Sequence, residues 1–165
     1  MRIIGIDTSL RSTGVGVIET SGSSMRLIEA MTLSIPPKRP LSECLRRLDE
    51  GLTELVIKYQ PECAAIEGIF YCKNVKTAVT LGEARGVAIA VCSRARLPVF
   101  EYSPRRVKQA LVGHGEASKD QVARMVIRLL NLAETPQEDS ADALAIAICH
   151  AQAHTSIAAL APKAL

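Results

Sequence analysis

The run Cys63–Glu67 (CAAIE) is apolar at every position before its closing carboxylate. A strand of that composition has to be buried on both faces, which a parallel strand covered by helices on either side achieves. What precedes it agrees. Leu41–Tyr59 places apolar residues at 41, 45, 48, 52, 55 and 59, in steps of four and three, so they fall along one helical face, and Pro61 stops the helix. Arg2–Asp7 (RIIGID), 13–19 (TGVGVIE) and 25–35 read as strands. Ser21, Gly22, Ser23 and Ser24 form a turn signal that makes a hairpin of the last two, and the loop 8–12 is short enough for antiparallel pairing of the first two. Pro36, Pro37 and Pro40 then break the pattern.

A second helix is expected over 76–95, with Asn74 as its cap. Its middle holds Ala78, Gly82, Ala84, Gly86, Ala88 and Ala90. Glycine costs helix stability, so close packing against another backbone is the expected compensation. Val99–Tyr102 is a further strand. Ser103 followed by Pro104 starts a short helix to about Val112, broken by Gly113 and Gly115. Ser118 and Gln121 have the spacing of a capping box opening a helix to Leu130, and the last helix runs from about Asp139 to His154. This order predicts an α/β fold: a mixed five-stranded sheet, antiparallel hairpin strands first and parallel strands later, with helices on both faces. A length of 165 residues suits one domain, expected over 1–154, followed by a loosely ordered Ala-rich tail over 155–165.

Four acids interrupt this apolar pattern: Asp7, Glu67, Asp139 and Asp142. A carboxylate is expensive to bury without a partner, and no nearby Lys or Arg in those runs offers an obvious neutralising one. Asp139 and Asp142 are three apart, so they share a helix face near its N-terminus, where the dipole favours anions. Each acid alone has a plainer role: Asp139 as a helix cap, Asp7 as a turn residue. One site for a hard divalent cation accounts for all four, because Mg²⁺ takes oxygen ligands. Such a layout suits phosphodiester chemistry, in which two cations about 4 Å apart activate a water and stabilise the leaving oxygen. Asp7, at a central strand end, is the expected bridge between them.

Charge and cysteine usage bound the remaining possibilities. The formal charge of +3 is mild. Between 73 and 128, however, bases recur, among them Lys108, Lys119, Arg105 and Arg106, against Glu83, Glu101, Glu116 and Asp120. Basic clusters beside a carboxylate site attract a phosphate backbone. Cysteines at 44, 63, 72, 92 and 149 are odd in number and form no C-x-x-C pair, so free buried thiols in a reducing cytoplasm are expected. No run is long and charge-free enough to span a bilayer, and MRIIGID lacks a signal-peptide pattern, so no membrane role is expected.

The blocks GIDTSLRSTGVGVI, AIEGIFYCKN, LGEARGVAIA, VFEYSPRRVKQALVGHGEASKDQV and DSADALAIAICH, in this order and spacing, resemble the RuvC family of Holliday junction resolvases. The resemblance covers residues 2 to about 153. It implies a ribonuclease H-like fold and a dimeric endonuclease that cuts four-way DNA junctions with paired, symmetric nicks. It maps the family's catalytic carboxylates onto Asp7, Glu67, Asp139 and Asp142, binding Mg²⁺ or Mn²⁺. Two family lysines near the scissile phosphate map onto Lys108 and Lys119. Phe70 matches a residue that stacks on a base at the junction centre. Tyr71, Lys73 and Asn74 beside it, with Arg105 and Arg106, are the further expected DNA contacts. Cooperation with the RuvA and RuvB branch-migration proteins is also implied. For the homodimer, the small-residue helix 76–95 is the expected interface. Three other readings stay open on the residues themselves: an actin-like or sugar-kinase ATPase, for which the chain lacks room; a junction-binding module without catalysis, against which all four carboxylates argue; and another ribonuclease H-like nuclease, acting on RNA–DNA hybrids.

Overall fold

A computed structural model of the chain describes residues 1–68, 74–154 and 163–165. Five strands, β1 (Arg2–Asp7), β2 (Ser12–Ser21), β3 (Ser24–Ser34), β4 (Cys63–Glu67) and β5 (Val99–Tyr102), form one sheet in the order β3-β2-β1-β4-β5. The pairs β1–β2 and β2–β3 are antiparallel; β1–β4 and β4–β5 are parallel. This is the mixed sheet expected from the order of elements, and the ribonuclease H-like arrangement that the family resemblance implies. Among the described residues five helices accompany it: α1 (Leu41–Tyr59), α2 (Val75–Arg94), α3 (Pro104–Val112), α4 (Lys119–Leu130) and α5 (Glu138–His154).

Alternation along the strands divides the interior into two cores. Ile4, Ile6, Val15, Val17, Ala64 and Ile66 face α1 and α2. Ile3, Ile18, Cys63 and Ala65 face α3, α4 and α5. Helix α5 lies directly on the strands and is buried nearly all round, from Ala143 to His150. Such a helix has no polar face to present, so it has to sit between layers. Glycines admit it. A Cβ at Gly5 would overlap the Ala143 carbonyl, and one at Gly14 would overlap the Asp139 carbonyl.

His150 is the one buried histidine among the described residues, with no solvent exposure. Tyr102 Oη lies 2.7 Å from its Nδ1, and Cys63 Sγ lies 3.3 Å from its Nε2. Either tautomer satisfies both contacts, because Tyr102 and the Cys63 thiol can each donate or accept. Burial pushes that thiol up to about 12, so it keeps its proton. The trio ties α5 to β4 and β5. Cys44, Cys63, Cys92 and Cys149 are free and buried, as expected. At the free edge of β5, Ala164 bridges Phe100 and the Leu165 amide donates to the Val99 carbonyl. No helix among the described residues is long and apolar enough to cross a membrane.

Candidate active site

Parallel pairing of β1 and β4 sets their C-terminal ends side by side. Ile6 pairs with Ile66, so Asp7 and Glu67 follow on neighbouring strands, at the middle of the sheet. Both belong to the face that α5 covers, and Asp142 reaches them from that helix. Asp7, Glu67 and Asp142 line one cleft of about 360 Å³ with Lys108 and Lys119, over an apolar wall of Val107, Val122, Ala145 and Ile146. Thr13, buried at the start of β2, accepts from the Ser9 amide at 3.2 Å and donates to the Ser9 carbonyl. It thereby fixes the loop that follows Asp7. A larger cavity, of about 550 Å³ and lined by Met1, Thr20, Met25, Leu129 and Ala151 among others, presents no ionisable side chain among the described residues.

Asp139 is placed differently. It occupies the first turn of α5 rather than the cap position, and its Oδ2 accepts a hydrogen bond from Ser12 Oγ. It does not line the 360 Å³ cleft, yet it lies close enough to Asp7 to act on it electrostatically.

The cleft holds more negative charge than it neutralises. Burial, followed by the charges of Glu67, Asp142 and Asp139, lifts the Asp7 carboxyl from 3.8 to about 7, with Lys119 pulling the other way. Glu67 is raised by burial and by Asp142, against Lys119 and Lys108. Asp142 is raised chiefly by burial, with Lys119 opposing. The neutralising partner missing from the acidic runs thus arrives from α4. Lys119 Nζ donates to Glu138 Oε1 at 2.6 Å and to Asp142 Oδ2 at 3.4 Å.

Among the described residues, no three His, Cys, Asp or Glu side chains close around a single point as a ready metal cage. The donor set nonetheless fits a hard divalent cation. It is oxygen-only and partly desolvated, and its burial and charge surplus raise the Asp7 carboxyl to about 7.

The other expected site residues divide. Lys108 lines the cleft. Arg105 and Arg106 are exposed in the first turn of α3, whose cap Ser103 accepts from the Arg106 amide at 3.1 Å. Asn74 caps α2, accepting from the Thr77 amide at 3.3 Å. Phe70, Tyr71 and Lys73 lie outside the described residues. Two participants had escaped the sequence reading, Ser12 and Glu138. Glu138 adjoins Asp139 in the same acidic run, which was the available signal. For Ser12 there was none, since 127 positions separate it from its partner.

Comparison with known proteins agrees with this geometry. The family model described as crossover junction endodeoxyribonuclease RuvC matches residues 3–150. The crossover junction endodeoxyribonuclease RuvC of Ralstonia nicotianae is 46% identical over 161 residues, 98% of this chain and 89% of that protein. Its counterpart in Alkalilimnicola ehrlichii is 49% identical over 149 residues, 90% of each. Among solved structures, Thermus thermophilus RuvC in complex with Holliday junction substrate superposes with a TM-score of 0.93 at 34% identity, covering 100% of this chain and 99% of that one. Sequence, sheet order and cleft converge, and the chain belongs to the RuvC family of crossover junction endodeoxyribonucleases.

Proposed function

We propose that this chain is a structure-specific DNA endonuclease that resolves Holliday junctions by paired, symmetric nicks. The observation that carries the reading is the cleft itself: carboxylates from β1, β4 and α5 face two lysines, in a member of this family. The relative solved with a Holliday junction supports the substrate.

In this reading Asp7, Glu67, Asp139 and Asp142 hold Mg²⁺, for which Mn²⁺ can substitute. Bound ions of this kind activate a water and stabilise the leaving 3′ oxygen. The chain's own residues do the rest. Asp7 would favour its ionised form beside a bound cation, against the burial and acidic neighbours that raise its carboxyl to about 7. Lys108 and Lys119 stand at the cleft to offset charge developing on the phosphate. Val107, Val122 and Ile146 wall the cleft on its apolar side, which strengthens those interactions. Phe70 and Tyr71 are assigned to stacking on unpaired bases, and Lys73, Asn74, Arg105 and Arg106 to the backbone.

Two cuts on opposed strands require two sites, which a two-fold dimer supplies. Helix α2 is the proposed interface. Val75 is 79% and Val79 55% exposed, and among the described residues neither Gly82 nor Gly86 has a neighbour within 4 Å of where a Cβ would stand. RuvA and RuvB are the proposed branch-migration partners, and the cytoplasm the proposed compartment.

The test is cleavage of a synthetic four-way junction in Mg²⁺, with a linear duplex and an RNA–DNA hybrid alongside. The wild type should nick the junction at two symmetric positions and leave the others intact. Asp142→Asn should bind the junction and not cut it. Preferential cutting of the hybrid, or full activity in Asp142→Asn, would refute the assignment.

A further inference from the structure

Asp139 stands apart from the other three carboxylates, and what it touches is specific. An acid in the first turn of a helix can fold its side chain back onto the free backbone amides there. Asp139 instead reaches outward to Ser12 Oγ. Both partners sit on backbone fixed by other means. Ser12 opens β2, paired with Ser34 of β3, and the next residue, Thr13, is buried and bonded to Ser9. The Asp139 carbonyl rests against Gly14, and Ser140 Oγ donates to the Gln137 carbonyl at 2.9 Å at the same helix start. With both backbones set, the Ser12 hydroxyl chooses the direction of the Asp139 carboxylate.

We propose that Ser12 is a positioning residue for Asp139: its hydroxyl engages Oδ2 and orients the carboxylate that would hold the cation. The inference rests on the assignment of Asp139 as a metal ligand. Hydrogen bonds from surrounding groups orient ligating carboxylates, and loss of such a partner typically weakens metal binding by about 10–100-fold. Ser12 does not touch substrate in this scheme and acts only through Asp139.

The intact protein carrying Ser12→Ala, Ser12→Thr or Asp139→Asn would be titrated with Mn²⁺ and free ion followed by electron paramagnetic resonance. Melting temperature and the Mn²⁺ concentration that half-saturates junction cleavage would be measured in parallel. Ser12→Ala should bind Mn²⁺ about tenfold or more weakly and need correspondingly more for cleavage, at an unchanged melting temperature. Ser12→Thr, which keeps the hydroxyl, should restore both. Unchanged or tighter Mn²⁺ binding in Ser12→Ala, while Asp139→Asn weakens it, overturns the role of Ser12 and leaves the nuclease assignment standing. Weakening that follows a lowered melting temperature and is not restored by Ser12→Thr also overturns it, since Ser12 would then be structural. If Asp139→Asn itself binds Mn²⁺ normally, the ligand assignment falls and this inference with it.

Discussion

At the scale of single residues, Asp7 couples the site to stability. In the unfolded chain its carboxyl loses its proton near 3.8, and in the folded chain near 7. Between those values the folded state binds more protons than the unfolded one, so stability falls as pH rises through this window. The shifts of Glu67 and Asp142 have the same sign. Without divalent cations the protein should therefore be less stable at pH 8 than at pH 5 by on the order of a few kcal/mol, and melt at a lower temperature. Asp7→Asn should flatten much of that slope. Thermal melts in a chelator from pH 5 to pH 8 check both statements, and an equally steep slope in Asp7→Asn would place its origin elsewhere. Adding a divalent cation at pH 8 should raise the wild-type midpoint, because a ligand that binds only the folded state stabilises it.

At the scale of elements, the decisive contact is α5 on the sheet. Side-chain volume is withheld at Gly5, Gly14 and Gly16 so that the helix can come down onto the sheet. At Gly14 the obstructing atoms belong to the Asp139 backbone, which cannot move aside as a flexible side chain can. Gly14→Ala should cost about 1–3 kcal/mol in overpacking. It should also lift the first turn of α5, which carries Asp139, from β2. Junction cutting should then fall more than junction binding, as read by denaturant melts, cleavage rates and gel-shift titration on one preparation. Equal losses in cutting and binding would mean that the helix start contributes to DNA docking rather than to the site.

For the whole molecule, the open question of assembly bears on α2. Among the described residues Gly82 and Gly86 have space around them within one chain, so a larger side chain at Gly82 should be tolerated by the monomer. If α2 packs on its symmetry mate, the same side chain meets a second backbone. Gly82→Leu should then leave the melting temperature of the monomer intact while weakening association by about 1–3 kcal/mol, about five- to 150-fold in the dimer constant. Sedimentation gives the association state, and a cruciform plasmid gives the consequence: a single nick in place of paired cuts. A Gly82→Leu protein that sediments as a dimer would move the interface off this helix.

Local physics made much of this chain readable. The apolar run of β4, the one-sided α1, the Ser103 cap before Pro104 and the reciprocal Ser118–Gln121 box all express forces acting within a few residues, and each element lies within a residue or two of its expected bounds. The carboxylates at strand ends were legible for the same reason, because a charge in an apolar run stands out without any knowledge of its neighbours. Tertiary structure alone decided who meets whom. Lys119 reaches Asp142 from another helix, His150 is enclosed by Cys63 and Tyr102, and Ser12 finds Asp139 across the length of the chain. A hydrogen bond or an ion pair depends on distance in space, and a periodic pattern along the chain carries no record of which distant residue the fold will bring into reach.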